Sequence, residues 1–143
     1  MVAYSFQRRF VDPIKVGLGL AVVPPEYTTG PVMVPAPKRQ TIRAHGKRRH
    51  ARPGETLQLY TAMRTKQCFK IGEARCTAVN QITMMVGRRT IAFLVDGEPI
   101  PDHREFVMAD GFENLEDMLA FWHSEHRGVD KFEGVIIKWE PLA

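Results

Sequence analysis

The chain has 143 residues, 44% of them hydrophobic and 25% charged, with 20 Lys and Arg against 16 Asp and Glu for a formal net charge of +4. This composition suits one domain with a core and excludes disorder over the whole length. No run approaches the roughly 20 apolar residues of a membrane span, the polar and basic start (Ser5, Gln7, Arg8, Arg9) does not suit a secretory leader, and two cysteines make no disulfide framework, so the expectation is a reducing, cytoplasmic setting with no membrane partner.

Residues 2–10 read as a strand, and Asp12-Pro13 as the N-cap and first position of a short helix, Pro13 to Val16, ended near Gly17. Residues 18–37 carry Pro24, Pro25, Pro31, Pro35 and Pro37, which excludes a helix interior or central strand and predicts a long, partly extended loop. Gln40 to Arg43 is a short strand-like run, and Ala44 to Arg52 a basic surface loop closed by the turn Pro53-Gly54. Alternation predicts a strand from Thr56 to Thr61 and a longer one over Gln67 to Val79, broken near Gly72. A hairpin follows: Ile82 to Val86, a turn at Gly87-Arg88, Thr90 to Val95, then Asp96-Gly97. Arg104 to Met108 reads as a further short strand.

Leu115, Met118, Leu119 and Trp122 recur at helical spacing and form one apolar face. Asn114 is its N-cap, with Glu116 and Asp117 in the first turn, His123 and His126 at the end and Gly128 beyond. Glu133 to Trp139 is a last strand. There is no internal repeat. Many short strands with one or two short helices and a longer C-terminal helix imply an α+β fold, a small closed or partly closed β-barrel with helices outside.

The charge is unevenly placed. Residues 38–75 hold 11 bases and two acids, a net +9, while the remainder is −5. Two readings stay open: an anionic partner, nucleic acid or nucleotide first, or a solvated surface of mixed sign. The loop with Lys47, Arg48, Arg49 and Arg52 suits phosphate contacts that give affinity without sequence readout. Tyr60, Phe69 and Trp139 are candidates to stack on bases, though aromatics in a small barrel more often serve the core. His45 and His50 fit a polar surface loop. His123 and His126 sit at i, i+3 around Glu125, but without a third ligand at diagnostic spacing no metal is expected. Cys68 and Cys76 read as small buried side chains, and Met84-Met85 as hairpin packing.

The densest polar constellation is Lys38-Arg39-Gln40-Thr41-Ile42-Arg43. It resembles the ASCH family, whose hallmark is Gly-x-Lys-x-x-Thr-x-Arg after a short first helix. Lys38, Thr41 and Arg43 stand at that spacing, after a strand ending Gln7-Arg8-Arg9-Phe10 and the helix Asp12 to Gly17. Pro53-Gly54-Glu55-Thr56-Leu57, Asp110-Gly111 before the late helix, and Lys138-Trp139-Glu140-Pro141 at the end are similar to later family elements. The sequence departs from the pattern in Ala36 for the Gly, in Asp110 for a Glu, and in two apparent insertions, the Pro-rich loop 18–37 and the hairpin 81–100.

The resemblance implies one PUA-like barrel domain over 1–143 that acts on a modified nucleoside or RNA. Small bacterial members hydrolyse the amide of N4-acetylcytidine, which would make Thr41 the nucleophile, Lys38 the base and Asp110 the acidic partner, with no cofactor. A Thr hydroxyl needs a neighbouring base, and a Lys serves only when burial or nearby cations lower its pKa. Arg39 and Arg43 are the expected cations, with Arg43 also holding a phosphate, carbonyl or base edge. Side chains at i and i+3 on a strand face opposite ways, so Lys38 must lie in the loop before the strand to reach Thr41. The alternatives are a nucleic-acid-binding module without turnover, using Lys38, Arg43 and residues 47–52, or a ribonuclease.

Overall fold

The computed structural model describes residues 2–20, 22 and 35–142. Most of the proline-rich segment expected over 18–37 lies outside them. The chain is α+β. Its strands are β1 (Val2–Phe6), β2 (Gln40–Ala44), β3 (Thr56–Thr61), β4 (Phe69–Val86), β5 (Ile91–Val95), β6 (Glu98–Pro99) and β7 (Lys131–Pro141). Its helices are α1 (Val11–Gly17), preceded by a 3-10 turn at Arg8–Phe10, α2 (His103–Ala109) and α3 (Leu115–Glu125).

One mixed seven-stranded sheet holds every strand of the described residues. Its axis is β4, 18 residues long. One edge of β4 pairs first with β3 and further along with β5, while its other edge pairs antiparallel with β7, which in turn carries β2. β1 adds to β3 in parallel. Registers shift between Leu59 and Tyr60 and between Cys76 and Ala78, extra residues of the kind that bend and coil a sheet. The sheet curls but does not close into a barrel among the described residues. Two of its edge strands, β1 and β2, lie side by side without a backbone ladder among the described residues, and Arg43 of β2 reaches across to Ser5 of β1. The α+β class expected from the sequence is thus present, while of the closed or partly closed barrel only an open sheet is seen among the described residues.

Several sequence expectations are corrected. The first strand stops at Phe6, because Arg8–Phe10 turns and leads directly into α1, whose N-cap is Phe10 and not Asp12. Gly72 does not break its strand: a Cβ there would lie 2.7 Å from Cδ1 of Leu18, so the glycine lets the segment after α1 approach β4. The segment Arg104 to Met108 is helix, not strand. Asp102 caps α2 by accepting from the N–H of Arg104 at 2.9 Å, and the turn buries Phe106 and Val107 with Phe106 against Phe93 of β5. Cys76 is buried, but Cys68 is exposed. Met84 is fully buried whereas Met85 is exposed, as alternation in the β4–β5 hairpin requires.

The late helix follows its pattern. Asn114 Oδ1 accepts from the Asp117 N–H at 2.8 Å, and Met118, Leu119 and Trp122 are buried. β7 is buried on both faces over Gly134 to Ile137, which makes it the spine of the core with Leu57, Leu59, Ile82 and Met84. Gly134 has a local reason. A Cβ there would meet the Phe132 ring at 2.8 Å and the main chain of β2, so the glycine lets β2 lie close to β7. No helix among the described residues is long and apolar enough to cross a membrane.

Candidate active site

Lys38 sits just before β2, as its reach to the site requires. Its N–H donates to the Pro13 carbonyl of α1 at 2.9 Å, and the next N–H, of Arg39, donates to Ala109 of α2 at 2.8 Å. A Cβ on Gly17 would lie 2.5 Å from the Lys38 carbonyl oxygen, so the end of α1 packs directly on this backbone. Two helices thereby clamp the residue while its side chain runs inward.

Asp110 is placed by the way α2 stops. Gly111 has φ +98°, its N–H donates to Met108 O at 3.0 Å and the Phe112 N–H donates to Val107 O at 3.0 Å. This is a Schellman closure with Gly at the left-handed position and an apolar residue after it. Asp110 is the residue before that glycine, so both its carbonyl and its carboxyl face the interior. A Cβ on Gly111 would meet Cδ of Lys38 at 2.9 Å and Cδ1 of Phe10 at 2.8 Å, so the glycine also makes room for the Lys38 stem.

The two groups meet. Nζ of Lys38 donates to the main-chain oxygen of Asp110 and lies 3.9 Å from Oδ1 of its carboxyl. Lys38 is only 2% exposed and Asp110 5%. Nζ also lies 4.7 Å from the centre of the Phe10 ring and 5.6 Å from that of Phe6, the distances of cation–π contact. Asp110 Oδ1 has no hydrogen-bond partner among the described residues.

Burial dominates the titration of both groups. It lowers Lys38 to about 8, against the opposing pull of the Asp110 carboxylate and with help from the cations Arg43 and Arg9. It raises Asp110 to about 6, against Lys38, a hydrogen bond from Gln40 and Arg43. The buried Gln40 side chain is held in turn by donating to Phe106 O at 3.2 Å.

Thr41, 5% exposed, follows on β2. Its Oγ1 accepts from Nε of Arg43 at 3.1 Å, which leaves the hydroxyl proton to donate elsewhere. Arg43 Nη2 donates to the Ser5 carbonyl across the seam at 2.7 Å, and the guanidinium lies 4.8 Å from the Phe6 ring centre. Among the described residues no hydrogen bond joins Lys38 directly to Thr41. They meet through a shared space: a cavity of about 360 Å³ lined by Lys38, Thr41, Arg43 and Asp110, with Phe10, Phe112, Phe121, Trp122 and Phe132 among its apolar walls.

The three residues expected to carry chemistry, Lys38, Thr41 and Asp110, thus come together with Arg43. Arg39 does not join them. Its side chain is exposed and its Nε donates to Gly17 O at 3.3 Å, because the residue after an inward Lys points to the opposite side. The second cation near Lys38 is Arg9 instead. Its guanidinium lies 5.2, 5.1 and 5.7 Å from the ring centres of Phe10, Phe112 and Phe121 and pairs with Asp117 at 2.6 Å.

The basic loop divides. Lys47 and Arg52 are exposed and line neither the cavity nor its neighbour. Arg49 forms a bidentate pair with Glu55, both contacts 2.7 Å, and Glu55 also accepts from the Arg52 N–H at 2.7 Å. Arg48 and Arg49 line a second cavity beside the first. His50 is tied down: its Nε2 donates to Ala44 O at 2.8 Å, so its Nδ1 accepts from the Tyr4 hydroxyl at 3.0 Å. His45 donates to Gln81 Oε1 at 3.2 Å.

Of the aromatic candidates, Trp139 is buried, Tyr60 is half-buried and Phe69 is exposed. The rings beside the site are others, and sequence reasoning missed their function. Trp122 was legible only as a helix-face residue and Phe10 only as the end of a strand, and Phe121 was not singled out. His126 stacks on Trp122 with ring centres 4.2 Å apart at the cavity wall. Among the described residues no group of three or more His, Cys, Asp or Glu is arranged to hold a metal ion. Comparison with family models, curated proteins and solved structures finds no match to this chain.

Proposed function

We propose that the chain is an ASCH-type amidohydrolase with a PUA-like architecture that cleaves an N-acyl group from a modified pyrimidine such as N4-acetylcytidine. The observation that carries this reading is the buried pair: Lys38 and Asp110 face each other in one cavity, and Asp110 Oδ1 is left without a partner. A buried, unpartnered carboxyl oxygen costs stability unless something is built to meet it. An exocyclic N–H of a substrate base fits that need. The curled sheet, with its seam between β1 and β2, supports the architecture as an opened barrel.

The chemistry follows from the protonation states. Neutral Lys38 takes the proton of the Thr41 hydroxyl as Oγ1 attacks the acyl carbon. Donation from Arg43 to Oγ1 favours the developing alkoxide, and the same guanidinium offsets charge on the tetrahedral oxygen. As the C–N bond breaks, the Lys38 ammonium returns the proton to the leaving amine, which Asp110 orients. Water then attacks the acyl-Thr ester with Lys38 again as base, releasing the carboxylic acid and restoring Thr41. The aromatic walls suit a flat base.

The test is acetate release from N4-acetylcytidine within a screen of acylated nucleosides and bases. Activity lost in Thr41→Ala and Lys38→Met, with both variants folded, supports the assignment. Unchanged turnover in Thr41→Ala removes Thr41 as nucleophile. A binding module without turnover is the second reading, favoured by the position of Arg48 in the neighbouring cavity.

A further inference from the structure

The seam between β1 and β2 holds two cavities, not one. The first contains the Lys38–Asp110 pair and takes Ser5 and Phe6 from β1 and Thr41 and Ile42 from β2. The second, about 560 Å³, takes Val2, Ala3 and Tyr4 from β1 and adds Arg48, Arg49 and His50 from the basic loop. Arg43 and Ala44 line both. Arg43 stands at the boundary. Its Nε is committed to Thr41 and its Nη2 to Ser5 O, while Nη1 has no hydrogen-bond partner among the described residues.

The second cavity has the chemistry of an anion site. Among the described residues no carboxylate lines it. Arg49 is neutralised by its pair with Glu55, and both His50 nitrogens are engaged by Tyr4 and Ala44. Arg48 and the spare nitrogen of Arg43 are the donors left for a ligand. Two residues along β2, from Thr41 to Arg43, span about 7 Å, a step a pentose can bridge between base and phosphate.

We propose that the second cavity binds a phosphate attached to the pyrimidine held in the first, so that the substrate class is a pyrimidine nucleotide and not a free nucleoside. The phosphate is either a terminal monoester or a diester within an oligonucleotide. This rests on the reading of the first cavity as a pyrimidine site.

Calorimetric titration of the full chain with cytidine, cytidine 5′- and 3′-monophosphate, a short cytidine-containing oligonucleotide and inorganic phosphate tests it. The expected result is that a phosphate-bearing ligand binds about tenfold tighter than cytidine, the size of one charge-assisted contact. The gain shrinks with added salt and disappears in Arg48→Ala. A gain with the monophosphates identifies a terminal phosphate, and a gain confined to the oligonucleotide identifies a diester. Equal affinity for cytidine and all its phosphates overturns the proposal and leaves the pyrimidine site standing, as does a gain that persists in Arg48→Ala. Binding of inorganic phosphate with no binding of cytidine or its phosphates overturns the pyrimidine reading itself.

Discussion

Lys38 and Asp110 are 72 residues apart in sequence, yet the ammonium of one donates to the main-chain oxygen of the other deep inside the molecule. Both are pushed toward neutrality by burial, Lys38 down to about 8 and Asp110 up to about 6. If neutral Lys38 is the base, kcat/KM for amide hydrolysis rises with pH and levels off above about 8. A pH–rate profile checks this, and a rate that falls from pH 6 to 9 contradicts it.

Arg9 is one of the cations that hold Lys38 down. Arg9→Gln therefore raises the Lys38 pKa and moves the rising limb of that profile to higher pH. The displacement of the limb, not a change in the plateau, is the quantity to measure. A merely structural role for Arg9 lowers the plateau and leaves the limb where it was.

The same pair governs stability. Asp110 has a folded value raised from 3.8 to about 6, so stability falls as pH climbs across that interval. Lys38 has a folded value lowered from 10.5 to about 8, so stability recovers as pH climbs across that one. The pair is thus most costly between about pH 6 and 8. Asp110→Asn alone removes the charge that holds Lys38 up, so Lys38 is pushed further toward neutrality and remains a buried amine, whereas Lys38→Met with Asp110→Asn is expected to gain about 1–4 kcal/mol over the wild type. Urea unfolding at pH 7 measures all three, and a double variant no more stable than the wild type contradicts the account.

Gly111→Ala meets two obstacles. Its backbone is at φ +98°, and the added methyl would lie 2.9 Å from the Lys38 stem and 2.8 Å from Phe10. Destabilisation of about 1–3 kcal/mol follows from the backbone alone, and the push on Lys38 lowers activity further. An unchanged melting temperature contradicts this.

Tyr4→Phe removes one hydroxyl that serves two partners. It donates to His50 Nδ1 at 3.0 Å and accepts from the Ala51 N–H at 3.1 Å. The variant loses about 1–3 kcal/mol and loosens the loop bearing Arg48. Thermal unfolding and amide exchange at Ala51 read the two effects, and undiminished protection there contradicts the second.

Where the signal was local, the sequence could be read. The apolar spacing of Leu115, Met118, Leu119 and Trp122 reports one helix face because 3.6 residues make a turn whatever surrounds it, and the Asn114 cap lies three residues from the N–H it serves. Lys38, Thr41 and Arg43 were legible as a constellation for the same reason. Arg104 to Met108 misled because Phe106-Val107-Met108 is too short an apolar run to distinguish strand from helix, and the deciding cap, Asp102, stands outside it.

By itself, then, the sequence determined the α+β class, the capped late helix and a Lys in the loop just before β2, all properties carried by neighbours within a few residues. Tertiary structure decided how Asp110, expected as a partner only from the resemblance, meets Lys38 through both its main-chain oxygen and its carboxyl, that Arg9 and not Arg39 is the second cation, and that β1 and β2 leave a seam between them. Those outcomes depend on contacts between residues distant in the chain, and on how closely glycines 17, 111 and 134 let backbones approach. No periodicity records such approaches, because they belong to two segments at once.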